Sequence, residues 1–380
     1  MDTISFATGN TNPETFPSEA FAAAAAHVVR GMATALNTYP GKLGHEGLRK
    51  LLAQREFDRE GIRIDPDQIL ITNGSMQAVT LAAEVLAPAR GDIVVMEEYC
   101  YVGSIRAFQA MGLEMVGVPV DESGMRMDAL AATLDRLARE GRKPGFIYTL
   151  ATYQNPTGAV MPKARRLELI ALARQHDCPV VEDNCYADVH FDGEVPPALY
   201  ALDPDPRQVY LCSLSKIFAP GVRLGYLVVR PPLLERVLAR RNDAGPNTLA
   251  AAITHAYLHD KLWQHIATAN AALKVKRDTM LDALHRHLGN ECQVSRPAGG
   301  LFIWIRLPED VDPGRLKEIA VGLGVDFAHG SDFHIRNDAG PYIRLAFGFP
   351  TSVEIETGVA RLGAAVRQAR GSRVPDDARA

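Results

Sequence analysis

A lysine in the segment SLSKIFAPGVRLG has the surroundings of a reactive amine. Lys216 follows Ser213 and Ser215 and precedes the apolar run 217–220. Apolar surroundings desolvate an amine and lower its pKa, which makes it a nucleophile toward an aldehyde. The two serine hydroxyls and the guanidinium of Arg223 lie within the same compact turn, so the segment predicts a phosphate-sized site beside a reactive lysine.

A carboxylate follows the β-branched run of the segment VVEDNCY. Asp183 stands there at the end of a predicted parallel strand, and open α/β sheets bind ligands at that edge. A buried carboxylate needs a cationic partner, for which a protonated pyridine nitrogen is suited. Tyr186, three residues further on, is placed to reach a neighbouring ring oxygen.

Two further turns carry groups that bind anions. The segment ITNGSMQAV places Gly74, Ser75 and Met76 between a strand and a helix, where backbone N–H groups and a hydroxyl form a phosphate cradle. In QNPTG, Asn155 precedes a proline in a turn, and its side-chain amide is free to bind a phenolate or carboxylate oxygen.

The elements that position these residues follow a βαβ rhythm from Gln68 onward. Short apolar runs alternate with helix-period segments and predict about seven strands: QILIT, DIVVME, LEMVGVPV, GFIYTL, CPVVED, QVYLCS and RLGYLVV. The pattern indicates an α/β protein with a mostly parallel sheet covered by helices on both faces. After Pro231 and Pro232 longer helices and a few strands predict a smaller α+β region.

Composition and charge limit the classes of partner. The 380 residues include 41 basic and 45 acidic side chains, a net charge of -4, so no overall positive field is available for nucleic acid or an anionic membrane. The five cysteines form no CxxC pair, which favours a reducing compartment. The N-terminus lacks a signal peptide and no apolar stretch is long enough for a membrane span, so we expect a cytoplasmic protein.

In their order along the chain, these segments resemble the fold type I, pyridoxal 5'-phosphate-dependent aminotransferases of the aspartate aminotransferase superfamily. The subgroup that the chain resembles most is that of the 2-aminoadipate and kynurenine aminotransferases. The motifs that carry the resemblance are Tyr39 with Gly44, NGSMQA, Tyr101 after a strand, QNPTG, ED-x-x-Y, S-x-S-K with PG-x-R-x-G, PAGGLFIW and IRLAFG.

The resemblance implies a role for each matching residue. Lys216 would form the internal aldimine with pyridoxal phosphate and shuttle a proton, while Asp183 would hold the pyridinium proton. Asn155 and Tyr186 would bind the ring oxygen, and Tyr101 would stack on the ring. Arg344 and Asn155 would hold the substrate carboxylate. The phosphate would be bound by Ser75, the Met76 amide, Ser213, Ser215 and Arg223, with Tyr39 from the other subunit of a homodimer.

The resemblance also implies two domains in each subunit. The large cofactor-binding domain would span residues 39–262, and the small domain would combine residues 1–38 with 263–370. The end of the chain, 371–380, lacks apolar periodicity and predicts a flexible tail. The expected activity is transfer of an amino group from an L-α-amino acid to a 2-oxo acid by a ping-pong mechanism.

Several alternatives stand beside this hypothesis. The same cofactor also supports decarboxylation, elimination, replacement or oxidation, and departures from the subgroup pattern at Tyr99, Cys185, His329 and Asp332 leave the substrate open. A non-catalytic sensor is disfavoured, since the predicted domain begins near Met1 and the net charge is negative. We expect no metal, because chance explains the i, i+4 pair His255 and His259. A basic cluster at 236–241 predicts a solvated helix face.

Overall fold

The computed structural model describes residues 3–32, 34–338 and 340–371. Its helices are α1 (Ser18–Gly31), α2 (Glu46–Glu60), α3 (Ser75–Leu86), α4 (Val102–Met111), α5 (Met127–Arg139), α6 (Lys163–Gln175), α7 (Leu199–Leu202), α8 (Leu233–Arg240), α9 (Thr248–Leu258), α10 (Leu262–Leu288), α11 (Pro313–Gly322) and α12 (Ser352–Gly371). Apart from Gly371, which ends α12, the predicted tail lies outside the described residues.

The strands have two to six residues each, and most of them are buried. They are β1 (Ile4–Ser5), β2 (Ile69–Thr72), β3 (Ile93–Glu97), β4 (Glu114–Val118), β5 (Val120–Asp121), β6 (Gly124–Met125), β7 (Pro144–Thr149), β8 (Val180–Asp183), β9 (Gln208–Ser213), β10 (Gly225–Val229), β11 (Gln293–Val294), β12 (Phe302–Arg306), β13 (Val325–Asp326), β14 (Ala328–His329) and β15 (Tyr342–Ala346).

A seven-stranded sheet forms the centre of the molecule, in the order β2-β10-β9-β8-β7-β3-β4. Five neighbouring strands run parallel, whereas β10 is antiparallel to both β9 and β2. The prediction of a mostly parallel sheet with seven strands is therefore confirmed, and the sequence segments assigned to the strands are the right ones.

Helices cover both faces of this sheet. Alternate residues of a strand point to opposite faces, so Val94 joins one apolar cluster with Phe108 of α4, while Val95 joins a second with Leu130 of α5 and Leu169 of α6. The predicted two-sided covering is confirmed. It explains why the strands read as continuous apolar runs.

The C-terminal part contains a separate antiparallel sheet, in the order β11-β12-β15-β14. The N-terminal strand β1 pairs with β13, with Ile4 opposite Val325, so the two ends of the chain share one region. Helix α1, however, packs against α9 of the region that precedes Leu262. The division into two domains stays a prediction.

The topology brings several chain segments to one edge of the large sheet. Strands β3, β7, β8 and β9 are parallel neighbours, and each ends at the same edge before a segment with a predicted site residue. Throughout the described ranges, no helix combines the length and the apolar character that a bilayer crossing requires.

Candidate active site

Lys216 lies just beyond the carboxyl end of β9, and its amine reaches the N-terminal segment. Its Nζ donates a hydrogen bond to the carbonyl oxygen of Gly9 at 2.8 Å and lies 5.8 Å from the ring centroid of Tyr186. Burial lowers the pKa of Lys216 to about 8, and the charges of Arg344 and Arg223 act in the same direction. A larger fraction of this amine than of an ordinary lysine is therefore unprotonated and nucleophilic near neutral pH.

Asp183 ends β8 and is buried, with 4% of its surface exposed. Its Oδ2 accepts a hydrogen bond from the hydroxyl of Tyr148 at 2.6 Å, and its Oδ1 accepts one from the Cys185 N–H at 3.3 Å. Burial raises the pKa of Asp183, and the hydrogen bonds from Cys185 and Tyr148 oppose that rise. Among the described residues no cation forms an ion pair with this carboxylate, so it is available to a cationic ligand.

The turn before α3 forms a cradle for an anion together with Arg223. Gly74 has a φ of 82°, and a Cβ at this position would lie 2.4 Å from the Nη2 of Arg223, so the guanidinium packs directly against the backbone. Arg223 itself adopts the left-handed conformation, with a φ of 57°. The first N–H groups of a helix have no partner within it, and Ser75 and Met76 are the first residues of α3. Cation and helix terminus together suit a phosphate.

Ser213 and Ser215 lie on the other side of this cradle. Both are buried, and the Ser213 hydroxyl accepts a hydrogen bond from the Ser215 N–H at 3.1 Å. Strand β10 passes so close to the start of α3 that a Cβ on Gly225 would lie 2.6 Å from the Ser75 nitrogen. The loop after β9 and the start of α3 are thereby held together.

Arg344 is a buried cation on β15. Its Nη1 donates to Oδ1 of Asn155 at 2.9 Å and its Nη2 to the carbonyl oxygen of Ala7 at 2.6 Å. The guanidinium carbon lies 4.0 Å from the ring centroid of Phe302 and 4.5 Å from that of Phe333. Burial lowers the pKa of Arg344 to about 10.

The buried guanidinium of Arg344 lacks an anionic partner. Within the described residues no carboxylate lies at ion-pair distance, and its Nε has no hydrogen-bond partner. A buried charge without a counter-ion is unfavourable, so this position suits the carboxylate of a ligand.

Asn155 links Arg344 to Tyr186. The Nδ2 of Asn155 donates to the Tyr186 hydroxyl at 3.4 Å, and burial raises the pKa of Tyr186 well above its usual range. Tyr101 is half-buried at the start of α4. Burial and the charge of Asp183 raise its pKa, whereas the charges of Arg223 and Arg344 act to lower it. The structure thus brings these residues into one pocket with Lys216.

Tyr39 is the one predicted site residue that lies apart from this pocket in the described structure. Its side chain is 86% exposed. A tyrosine so exposed makes few contacts within its own chain, and its part in the predicted site stays a prediction.

Sequence reasoning missed two groups of residues in the site. Tyr148 and Ser104 lie behind Asp183, and the backbone carbonyls of Ala7 and Gly9 accept hydrogen bonds from Arg344 and Lys216. A tyrosine in a buried strand has the same pattern as a core residue, and a backbone carbonyl has no residue type to signal it. Only the apolar strand containing Tyr148 was visible beforehand.

The interpretation of the basic cluster as a solvated face agrees with Arg236 and Arg240, which are exposed, but was wrong for Arg241. Arg241, expected on a solvated face, is 2% exposed and donates to the carbonyl oxygens of Lys42 and Ile71, both at 2.6 Å. Arg241 thereby joins the loop that contains Lys42 to strand β2. The spacing of charges along one helix cannot reveal such a contact.

Among the described residues no three His, Cys, Asp or Glu side chains form a group suited to a metal ion.

Known proteins match nearly the whole chain. The family described as aminotransferase class I and II matches residues 2–362. Aromatic-amino-acid aminotransferase 1 of Thermococcus litoralis is 34% identical over 370 residues, which cover 97% of this chain and 88% of that protein. Proteins named as HTH-type transcriptional regulators in Bacillus subtilis and Escherichia coli are 25–28% identical, and the matches cover 68–77% of their lengths.

Solved structures match the fold as closely. The multiple substrate aminotransferase from Thermococcus profundus has a TM-score of 0.91 at 32% identity, covering 97% of this chain and 92% of that one. The α-aminoadipate aminotransferase LysN from Thermus thermophilus, complexed with N-(5'-phosphopyridoxyl)-L-leucine, has a TM-score of 0.90 at 30% identity, covering 97% and 93%. These similarities span every segment of the pocket described above.

Proposed function

The chain belongs to the class I and II aminotransferases and is a pyridoxal phosphate-dependent enzyme of fold type I, and we propose that Lys216 is its catalytic lysine. The observation that carries this proposal is the convergence of Lys216, Asp183, Arg223 and Arg344 on one pocket. A nucleophilic amine, a buried carboxylate and two separate cations are the groups that an aldehyde, a pyridine nitrogen, a phosphate and a substrate carboxylate require.

The residues present fit this cofactor. The Arg223 guanidinium, the free N–H groups at the start of α3 and the hydroxyls of Ser75, Ser213 and Ser215 are a donor set for a dianion. Asp183 would bind the ring nitrogen, since its carboxylate has only neutral donors among the described residues. Pyridoxal phosphate, when bound, supplies an aldehyde and an electron-withdrawing ring that takes up the electrons of a broken Cα–H bond.

Lys216 has two tasks in this proposal. Its unprotonated Nζ would hold the cofactor through the aldehyde, and the same Nζ would move a proton at the substrate Cα. A pKa of about 8 suits both tasks, because the amine gains and loses a proton near neutral pH. The hydrogen bond to the Gly9 carbonyl orients the amine before substrate arrives.

Arg344 and Asn155 would bind the α-carboxylate of the substrate. The hydrogen bond between them orients the guanidinium, and the rings of Phe302 and Phe333 lie against it. A guanidinium held in this way offers two parallel N–H donors and excludes water from the ion pair. The reaction is then transfer of the amino group from an L-α-amino acid to a 2-oxo acid in a ping-pong cycle.

We also propose a homodimer in which Tyr39 completes the partner's phosphate site. Near the start of the chain Tyr39, Leu36 and Val29 each expose a large apolar side chain, at 86%, 40% and 50% exposure. Exposed apolar side chains of this kind are typical of a subunit interface.

All five cysteines are free and buried, which supports the proposal of a cytoplasmic location.

Half-reactions test the proposed activity directly. We expect the purified enzyme with bound cofactor to convert it stoichiometrically to pyridoxamine phosphate when an amino acid is added alone, and to reverse this change with a 2-oxo acid. A panel should include aromatic amino acids, 2-aminoadipate and leucine, together with D-alanine as a control for stereochemistry. Release of carbon dioxide, ammonia or peroxide without pyridoxamine phosphate would assign the enzyme to another reaction of the same cofactor.

A further inference from the structure

A tyrosine behind Asp183 contacts the carboxylate from the interior of the protein. Tyr148 lies on β7, opposite Val181 of the neighbouring strand β8. Its hydroxyl is 2.6 Å from Oδ2 of Asp183 and 2.7 Å from Oγ of Ser104 on α4. Tyr148 and Ser104 have no exposed surface, so water does not compete for these hydrogen bonds.

The direction of both hydrogen bonds follows from the number of protons. An ionised carboxylate only accepts, so Tyr148 donates its single hydroxyl proton to Asp183. Ser104 must then donate to the Tyr148 oxygen. Burial and the neighbouring Asp183 hold the pKa of Tyr148 well above its usual range, so it remains a donor throughout the working range of pH.

The hydroxyl of Tyr148 acts on the charge of Asp183. A hydrogen bond to the ionised form of a carboxyl favours that form, whereas burial favours the neutral one. Burial raises the pKa of Asp183, and the Tyr148 hydroxyl opposes that rise. Without the hydroxyl the carboxyl would take up a proton more readily and would compete for the proton of a cationic partner. The donors that remain both belong to Cys185: its N–H, at 3.3 Å from Oδ1, and its thiol, which is a weak donor.

We propose that Tyr148, oriented by Ser104, is a positioning residue that keeps Asp183 ionised and fixed as the counter-ion of the cofactor ring nitrogen. This inference rests on the proposed function, because it assigns Asp183 to that nitrogen. The ring of Tyr148 has a separate packing role, since its edge contacts Phe108 with ring centroids 5.4 Å apart. Phenylalanine at this position would keep the packing and remove only the hydroxyl.

A double-mutant cycle separates positioning from packing. Tyr148→Phe, Asp183→Asn and the double variant are compared by the Kd of the apoprotein for pyridoxal phosphate and by kcat and KM of the half-reaction. We expect Tyr148→Phe to raise the Kd for the cofactor about tenfold and to lower kcat about tenfold, while KM stays unchanged. A tenfold effect is the lower end of what a hydrogen bond to a charged group contributes. In the Asp183→Asn background, Tyr148→Phe should alter the Kd and kcat less than about twofold, because the ionised carboxylate that the Tyr148 hydroxyl acts on is absent.

Two further variants complete the experiment. Ser104→Ala should act in the same direction as Tyr148→Phe with a smaller effect, and it carries the test if the tyrosine variant does not fold. Tyr200→Phe is the matched control, because that buried hydroxyl has no hydrogen-bond partner among the described residues and lies on α7, outside the pocket. It should change neither quantity.

Equal losses in both backgrounds would show that Tyr148 has a merely structural role, and a Tyr148→Phe variant identical to wild type would also overturn the inference. Failure of the proposed function looks different. In that case the unmodified protein itself would bind no pyridoxal phosphate or would form no pyridoxamine phosphate from an amino acid.

Discussion

At the scale of single residues, Arg344 shows how a buried charge defines a ligand. Its guanidinium lies close to two phenyl rings and donates hydrogen bonds to Asn155 and a backbone carbonyl, yet no carboxylate of the described chain neutralises it. In the proposed site, the free energy of leaving this cation unpaired would be recovered when a substrate carboxylate binds. Residues whose charge is unmatched in the protein alone are therefore the ones to test for substrate binding.

Arg344→Lys should raise the KM for the amino acid by about 10- to 100-fold, because lysine keeps the charge but loses the paired N–H donors. The Kd for pyridoxal phosphate should change less than the KM, since the hydrogen bonds of Arg344 reach the cofactor residues only through Asn155. The matched control is Arg306→Lys, an exposed arginine two residues beyond Trp304 on the adjacent strand β12. An unchanged KM in Arg344→Lys would remove Arg344 from the carboxylate site.

The principal site residues were predictable because their chemistry is unusual for their position. A lysine before an apolar turn and an aspartate at the end of a buried strand are hard to explain by packing alone. Tyr148 was not predictable, since tyrosine is common in cores and its partner Ser104 is 44 residues away. Arg241 was misjudged for the same reason: its burial depends on a loop and a strand that are remote in sequence.

At the scale of elements, the start of each helix matters as much as its apolar face. Helix α3 begins at the phosphate cradle, and α2 begins at His45, whose Nδ1 accepts a hydrogen bond from the Leu48 N–H at 3.0 Å. A ring nitrogen accepts only while it is unprotonated. Burial lowers the pKa of His45, and Arg49 acts in the same direction, so the folded state prefers the neutral ring.

This cap predicts a pH dependence of stability. Because the folded-state pKa of His45 lies below the unfolded value of about 6.5, its contribution is complete above that pH and is lost as the pH falls through the lowered pKa. His45→Asn keeps an acceptor that does not titrate. Between pH 7.5 and 5 the wild type should therefore lose more of its thermal midpoint than His45→Asn does.

The exposed His285 provides the control, since His285→Asn should leave the pH dependence of the wild type unchanged. The ring centroid of His255 lies 5.3 Å from that of His45, and burial also lowers the pKa of His255. A separate variant of His255 would show how much of the pH dependence of stability comes from each histidine. If the thermal midpoints of wild type and His45→Asn fall by the same amount between pH 7.5 and pH 5, protonation of His45 does not affect the stability of the protein through the helix cap.

The sequence pattern predicted the strands and helices well but not how they pair. All seven segments assigned to the large sheet form it, because each is an apolar run bounded by turn residues. The order of the strands, the antiparallel direction of β10 and the pairing of Ile4 with Val325 depend on contacts between distant segments. Hydrophobic periodicity carries no information on such contacts.

At the scale of the whole molecule, the modest charge of -4 agrees with a local mode of anion binding. Two arginines, a helix terminus and a few hydroxyls suffice for a phosphate and a carboxylate. The protein therefore needs no basic surface. Tyr39 is the predicted member of this set that must come from another subunit, and so it tests the dimer as well as the site.

Hybrid dimers decide whether Tyr39 acts across the interface. The Tyr39→Ala homodimer should bind pyridoxal phosphate about tenfold more weakly, the effect of losing one hydrogen bond to a charged group. A hybrid of Tyr39→Ala and Lys216→Ala subunits should regain one wild-type site per dimer, because the intact Tyr39 and the intact Lys216 meet across the interface. At a pyridoxal phosphate concentration that saturates wild-type sites but not Tyr39→Ala sites, the hybrid should therefore show about half of the wild-type activity. A hybrid no more active than the Tyr39→Ala homodimer, or a monomeric wild type, would contradict the shared site.

The central claim is that Lys216 binds the cofactor covalently. The most direct measurement is borohydride reduction of the enzyme with pyridoxal phosphate, followed by peptide mass spectrometry with Lys216→Ala as the comparison. We predict a reduced phosphopyridoxyl group on the peptide that contains Lys216 and no such group on the variant. Attachment to a different lysine, or an unlabelled wild type, would contradict the assignment of Lys216 as the catalytic residue.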